Sequence, residues 1–419
     1  MRQELILARA EEEKERLSRL CQDIHTHPET GFQEYRASAQ LTGYLEEHGF
    51  TVRRGCAGMD TAFLAEKISG DGPSVGLFCE YDALPGLGHA CGHNVIAVTA
   101  VGAAVCAAEV LMEHPGRLVV LGTPAEEGGG GGKIRLLEAG LLENLDCGMM
   151  LHPGPLTVVK DKTLAISTQR FLFHGRAAHA GAAQEEGRNA LEAVIQLFNG
   201  INSLRGHLPR DANIHGIIRE GGTAPNIIPD RAAAEFSFRA GDRAALDSLL
   251  MRARACADGA AAMAGCTVEI GQVGLPYWEL VPNDTLQNVV ARALEETGIT
   301  IDIWAAAEGF ASTDLGNVSQ VLPAVQLMLG VGTPVLPHTP AFARACSGAE
   351  GAALAMKGVR ALGLSAARLL AQPRLVAEAR RELAGALRNN AAVGQSGETP
   401  GHGVAAGPWA SGAGLSAHS

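Results

Sequence analysis

The spacing of apolar and polar positions divides the chain into a first α/β part, a middle α+β part and a return to α/β character. From Glu4 the pattern is that of an amphipathic helix, interrupted by a turn at His27-Pro28-Glu29-Thr30-Gly31. A second helix is predicted from about Glu34 to His48, where Gly49 supplies the stop. Apolar runs at Thr61 to Ile68, Ser74 to Cys79 and Arg117 to Leu121 are short and bounded by Gly or Pro, so they read as strands. The last two flank an Ala-rich apolar stretch after His93 that reads as a core helix. Strand, helix, strand predicts an α/β layer with a mixed, mostly parallel sheet.

After Pro155 the period changes. Thr168 to Phe173 alternates as a half-exposed strand, Asn189 to Leu204 is helical, and Asn213 to Ile218 and Ala232 to Arg239 are further strands. Ala244 to Gly265 is another helix and Cys266 to Val273 a last strand. The order β, α, β, β, α, β over roughly 110 residues predicts an inserted α+β unit of ferredoxin-like type. The expected organisation is therefore residues 1–165 as the first part of one domain, 166–276 as the insert, and 277–388 as the second part of the first domain. Residues 389–419, rich in Gly, Ser, Ala and Pro, are expected to form a disordered tail.

Composition narrows the function classes. The 419 residues suffice for two or three domains, and 47% apolar against 19% charged residues exclude a wholly disordered chain. The net charge, 34 − 45 = −11, argues against nucleic-acid and anionic-membrane partners, which reward clustered Lys and Arg. The longest apolar stretch, Val95 to Ala108, is shorter than the ~18 to 20 residues of a membrane span. Nine cysteines without a C-x-x-C pair do not suggest a disulfide framework or a zinc ribbon, and a reducing cytoplasm is expected. The Glu-rich start does not resemble a signal peptide.

Three signals carry chemistry. In Gly88-His89-Ala90-Cys91-Gly92-His93-Asn94, a Cys and a His two residues apart can aim thiolate and imidazole at one point, or be a buried thiol beside a helix-capping histidine. In Thr123-Pro124-Ala125-Glu126-Glu127, two carboxylates lie between an apolar strand and five glycines, which predicts a loop at the sheet edge. There one carboxylate can ligate a cation while the other deprotonates water, although adjacent acids are more often solvated surface. His152, before Pro153, and His338, between Pro337 and Thr339, are expected in rigid turns after apolar strands, where a fixed ligand would be useful. Cys91, His93, Glu127, His152 and His338 are too many ligands for one open catalytic zinc, and two metals sharing a bridge would account for the surplus.

Competing motifs fail. A phosphate-loop frame ending at Lys133 puts Glu127 where its first Gly must be, and Ile134 where Ser or Thr should follow. Gly72-Pro73-Ser74-Val75-Gly76 precedes its strand instead of following one, unlike a nucleophile elbow. No G-x-G-x-x-G follows a strand.

The constellation resembles the M20 family of metallopeptidases and amidohydrolases, in the cysteine-ligand branch that contains aminobenzoyl-glutamate hydrolases, auxin-conjugate hydrolases and dipeptidases. The matching segments are Glu80-Tyr81-Asp82-Ala83-Leu84-Pro85, the stretch around Cys91, T-P-A-E-E, L-H-P at Leu151, G-R-A-A-H-A-G at Gly175, A-P-N-I-I-P at Ala224, A-S-T-D at Ala311 and P-H-T-P at Pro337, in family order. The resemblance implies two divalent ions, zinc or manganese. Cys91 would bridge them, with His93, Glu127, His152 and His338 completing the shells. It further implies Glu126 as general base and Asp82, in place of the family's His-x-Asp, as a carboxylate that orients a ligand.

The insert resembles the family's lid, which pairs two subunits. His179 would then reach the partner's site to bind the oxyanion, and Asn226 and Arg239 would hold the polar end of the substrate. The implied activity is hydrolysis of the amide bond of a small amino-acid conjugate, a dipeptide or aminobenzoyl-glutamate-like compound, by a homodimer. An N-acyl amino acid hydrolase and a non-catalytic metal-binding subunit on the same scaffold are the alternatives; a retained Glu126 speaks against the second, since binding alone needs no base.

Overall fold

The computed structural model describes residues 3–160, 162–302 and 311–395. Its elements in the first part are α1 (Gln3–Thr26), α2 (Tyr35–Glu47), β1 (Thr51–Arg54), β2 (Phe63–Ile68), β3 (Ser74–Cys79), α3 (His93–Ala107), β4 (Arg117–Gly122), α4 (Gly132–Glu138) and β5 (Cys147–Gly154). The insert comprises β6 (Ala165–His174), α5 (Ala190–Arg205), β7 (Asn213–Glu220), β8 (Arg231–Ala240), α6 (Arg243–Ala264) and β9 (Thr267–Tyr277). The chain then continues through α7 (Asp284–Glu296), α8 (Leu315–Ser319), β10 (Ala324–Gly330), α9 (Pro340–Ala345), α10 (Gly348–Ala371) and α11 (Pro373–Gln395).

The first and last parts share one sheet of order β1-β2-β4-β3-β5-β10. The pairs β4–β3, β3–β5 and β5–β10 are parallel, and β2 is antiparallel to both β1 and β4. This is the expected mixed, mostly parallel sheet, and its site-forming loops leave the C-terminal ends of the parallel strands. The helix α3 packs on this sheet and is buried along its whole length. With the turn that follows it, His93–Val110 is long and apolar enough to cross a membrane by length and composition, longer than the apolar run alone suggested, yet 89% of that window is buried inside the protein. It is a core helix wedged among α1, α10 and the sheet.

The insert forms a separate antiparallel sheet of order β7-β8-β6-β9, the strand order of a ferredoxin-like unit, with α5 and α6 closing a second hydrophobic core around Phe171, Phe236 and Phe238. Both helices are capped at their N-termini by a side chain. The side chain of Asn189 accepts from the N–H groups of Leu191 and Glu192, and that of Asp242 from Ala245.

Three local expectations change. His152 lies within β5, not in a turn after it, because the strand continues through His152-Pro153-Gly154. The loop after β4 leaves an interior strand of the sheet and not an edge strand, since β2 and β3 flank β4. The helix α11 continues to Gln395, into the stretch expected to be disordered, and 396–419 lie outside the described residues. All nine cysteines are free.

Candidate metal centre and active-site cavity

The centre is assembled at the C-terminal ends of β3, β4 and β5. Between Cys91 and His93, Gly92 takes a left-handed φ of 80°, and a Cβ there would meet Pro153 and the Cys346 sulfur at under 3 Å. Only glycine lets the chain turn here and start α3 with His93 as its first residue. Cys91 Sγ lies 3.5 Å from His152 Nε2, and the rings of His93 and His152 meet edge to face at 6.1 Å. On the other side, His338 Nε2 is 3.3 Å from Glu127 Oε1, which is 4.0 Å from His93 Nε2. His338 takes a left-handed φ of 63°, held by a backbone bond from its N–H to Ala90 O at 2.8 Å. A non-glycine residue in that conformation is strained, and such strain concentrates at functional sites.

Two triplets of donor atoms, each within 4.8 Å of one another, share a single thiol: Cys91, His93 and His152, and Cys91, Glu127 and His338. His93, Glu126 and Glu127 form a third. Neighbouring groups fix which atoms face inward. Asp82 Oδ1 accepts from His93 Nδ1 at 3.0 Å, and Pro153 O accepts from His152 Nδ1 at 2.7 Å, so both imidazoles turn Nε2 to the centre. Asp82 Oδ2 also accepts from the N–H of Glu127 at 3.0 Å. His93 Nε2 and Glu127 Oε1 are buried without a hydrogen-bond partner. Buried polar atoms are rarely left so, and soft sulfur, imidazole nitrogens and a carboxylate converging on that gap are a donor set that can hold divalent transition metals.

The charges are strongly mixed. Burial would lower His93, but the carboxylate of Asp82 outweighs it and holds the ring well above its ordinary value. Burial would raise Glu127, but the imidazoles of His338 and His93 close to it hold it below the usual carboxylate range. Burial, then the like charges of Glu80, Glu127 and Asp314, push Glu126 well up. Burial likewise pushes the Cys91 thiol up and His152 down.

Beneath Glu126 lies a group that the sequence did not reveal. The ammonium of Lys133 is fully enclosed and donates to Glu80 and Asp314. These two carboxylates and Glu126 would otherwise be a fourth cation-binding cluster. Burial works against a charged lysine, but Asp314 and Glu80 outweigh it and keep Lys133 protonated. Tyr277, at the end of β9, donates its hydroxyl to the carbonyl of Glu126 and accepts from the N–H of Gly131. The only sequence signal for Lys133 was a lysine in an otherwise glycine-rich run. Nothing local marked Tyr277.

The centre opens into a cavity of ≈ 580 Å³ between the mixed sheet and the insert, within the range of small-molecule sites. Cys91, Glu126, Glu127, His152 and His338 line it, and the insert contributes Arg239, Ser237, Thr168 and an apolar wall including Ile166 and Leu275. Burial alone lowers Arg239, and its Nε has no hydrogen-bond partner. Among the described residues no acceptor or counter-charge holds this guanidinium. His179 and Asn226 do not line this cavity. They stand exposed on neighbouring loops of the insert, joined by a bond from the N–H of Ala180 to Asn226 O. His179 Nδ1 accepts from the N–H groups of Gly181 and Ala182 at 3.2 and 3.1 Å, which puts the ring hydrogen on Nε2, facing outward as a donor.

Residues 165–262 match the model of a peptidase dimerisation domain. Over 390 residues the chain is 36% identical to a Xaa-Arg dipeptidase of Mus musculus, spanning 89% of this chain and 90% of that protein. It is 32% identical over 309 residues to a subunit of the p-aminobenzoyl-glutamate hydrolase of Escherichia coli, spanning 69% of this chain and 64% of the relative. Among solved structures, a dinuclear metal-binding peptidase from Bacillus subtilis superposes with a TM-score of 0.66 at 22% identity, over 85% of this chain and 98% of that one.

Proposed function

The chain belongs to the M20 family and is a metal-dependent amide hydrolase, and from that premise we propose that it cleaves a dipeptide or a similar amino-acid conjugate with a free carboxylate. The observation that carries this reading is the pair of donor triplets sharing Cys91 beside the buried Glu126. Cys91, His93, His152, Glu127 and His338 would hold two divalent ions, and the shared sulfur favours zinc over manganese. When bound, such ions supply a polarised scissile carbonyl and a water of lowered pKa.

Glu126 takes the proton of the attacking water and delivers it to the leaving nitrogen. A carboxyl raised by burial and like charge is suited to that exchange, because its affinity for the proton sits nearer to that of the donor. Lys133 compensates Glu80 and Asp314 below it, which limits the negative charge around Glu126. Asp82 keeps His93 in the tautomer that presents Nε2. Arg239 receives the substrate's carboxylate, while Asn226 and the outward Nε2–H of His179 serve the site of a partner subunit in a homodimer formed through the insert. Among the described residues the only carboxylates lining the cavity are Glu126 and Glu127.

Elemental analysis together with turnover of Xaa-Arg dipeptides, p-aminobenzoyl-glutamate and N-acetyl amino acids, with and without chelator, tests the reading. Two metals per chain and chelator-sensitive release of a free amino acid are expected; no turnover across the panel by metal-loaded protein would reject the substrate class. Cys91→Ala is expected to lose at least one metal, and retention of both would reject the shared thiolate.

A further inference from the structure

The turn His27-Pro28-Glu29-Thr30-Gly31 and the start of α2 take no part in the chemistry described so far, yet they press against both loops that carry it. Glu29 O accepts from the N–H of Ala83 at 2.8 Å, and Thr30 bridges to Ala83, next to Asp82. Gly31 packs on Ala125: a Cβ at Gly31 would come within 2.8 Å of the Ala125 Cβ. Three residues on stands Glu34, completely enclosed, and its carboxylate is held by neutral donors. Its Oε1 accepts from the N–H of Phe32 at 2.9 Å and from the N–H of Ala125 at 3.0 Å, while its Oε2 accepts from the Thr61 hydroxyl at 2.8 Å.

The two backbone donors that meet on Oε1 are not ordinary. Phe32 has a φ of 63° and Ala125 a φ of 56°, two of the four non-glycine residues of the chain with positive φ among those described. A side chain in the left-handed region is unfavourable unless the surroundings hold it there. Ala125 immediately precedes Glu126 and Glu127, so its backbone torsions decide where both carboxylates point. A buried carboxylate held only by neutral donors is costly, and an apolar residue would fill the same space without that cost. What an apolar residue could not do is draw the two N–H groups to one point.

We infer that Glu34 is a positioning residue for the reaction proposed above: its carboxylate clamps the left-handed turn at Ala125 and thereby sets the placement of Glu126 and Glu127. The inference rests on that reading for its catalytic consequence, but the clamp itself is a property of the fold.

The test compares Glu34→Ala, Glu34→Asp, Glu34→Gln, Ala125→Gly and the double variant Glu34→Ala/Ala125→Gly, all as metal-loaded full-length protein. Deuterium uptake by the segment 121–128 is expected to quicken in Glu34→Ala and Glu34→Asp while the rest of the mixed sheet is unchanged. In the same two variants kcat is expected to fall about 10- to 100-fold, with KM moved by no more than about threefold. Glu34→Gln keeps an acceptor oxygen and is expected to stay within about threefold of wild type. Because glycine takes the left-handed conformation unaided, Ala125→Gly is expected to recover about tenfold of the kcat lost in Glu34→Ala, a rescue that a generally loosened fold would not show.

If kcat of Glu34→Asp and of Glu34→Ala stays within about twofold of wild type, or if the double variant shows only the sum of the single losses, the positioning role is overturned. Glu34→Asp keeps the charge with a shorter reach, so it carries both arms should Glu34→Ala fail to fold. The exchange arm needs no substrate. Unchanged uptake at 121–128 overturns the clamp even if the proposed hydrolysis stands, whereas faster uptake upholds the clamp even if the substrate panel fails.

Discussion

At the C-terminal end of the mixed sheet, Glu80, Asp82, His93, Lys133 and Asp314 are all at most 1% exposed, with Asp82 bonded to His93 and Lys133 to Glu80 and Asp314. On the insert, His179 and Asn226 stand exposed on loops, and the imidazole is bonded to two backbone N–H groups. The first region is finished within one chain: every group has a partner that fixes its direction, at the expense of burying five ionisable side chains. The second has an oriented donor with no acceptor bonded to it among the described residues. The contrast separates what is preorganised by folding from what a second subunit would bring.

The largest effect should come from the enclosed region. Glu126→Gln removes proton transfer while leaving every donor of the two triplets in place, so turnover is expected to fall ~10³- to 10⁴-fold with metal content unchanged by elemental analysis. Activity within a few-fold of wild type would remove Glu126 from the mechanism.

His179→Ala is expected to lower kcat ~10²- to 10³-fold, the usual effect of losing one oxyanion donor. Mixed with Glu126→Gln and allowed to exchange subunits, the two inactive proteins should regain activity, because the hybrid dimer holds one site with both groups intact. Random exchange would restore roughly a quarter of wild-type turnover. Failure of complementation between demonstrated hybrids would mean that His179 does not serve the partner.

Arg239 divides the insert in a second way, since it faces the cavity of its own chain. Arg239→Ala is expected to raise KM about 10- to 100-fold for substrates with a free carboxylate, with kcat little altered. A fall in kcat at unchanged KM would reassign it.

The smallest effect on activity belongs to Glu34→Gln, and its signature is in stability. Burial raises Glu34 to about 7 from an ordinary 4.5. Between those values the folded protein binds more protons than the unfolded one, so stability falls as pH rises through that window. Glutamine cannot titrate, and the melting temperature of Glu34→Gln relative to wild type is therefore expected to be higher at pH 8 than at pH 5. An equal difference at both values would show that Glu34 does not hold its proton more tightly when folded.

Much of this arrangement was legible in the sequence, where local signals sufficed. Asn189 and the apolar period after it located α5, and Gly265 marked the end of α6. The run Ser74 to Cys79 gave β3. β5 was harder to delimit, because its first five residues are all buried and show no alternation, which hid the continuation through His152. The five expected ligand positions were visible as Cys, His and Glu beside Gly or Pro, and the structure gathers them into the two triplets. Glu34 and Lys133 were not, because each acquires its meaning from a distant partner. Ala125 is 91 residues from Glu34, and Asp314 is 181 from Lys133. No periodicity encodes such a pairing.

The insert leaves and re-enters the body of the protein at one place, for Ile166 at its start is paired with Tyr277 at its end. A segment with both ends side by side can be exchanged for another without pulling apart the sheet it departs from, so specificity can be rewritten by grafting while the hydrolytic machinery stays as it is. The joint has one condition. The hydroxyl of Tyr277 holds the Glu126 carbonyl, and a transplanted cassette that ended before this tyrosine would bring new walls to the pocket but leave the base without its brace.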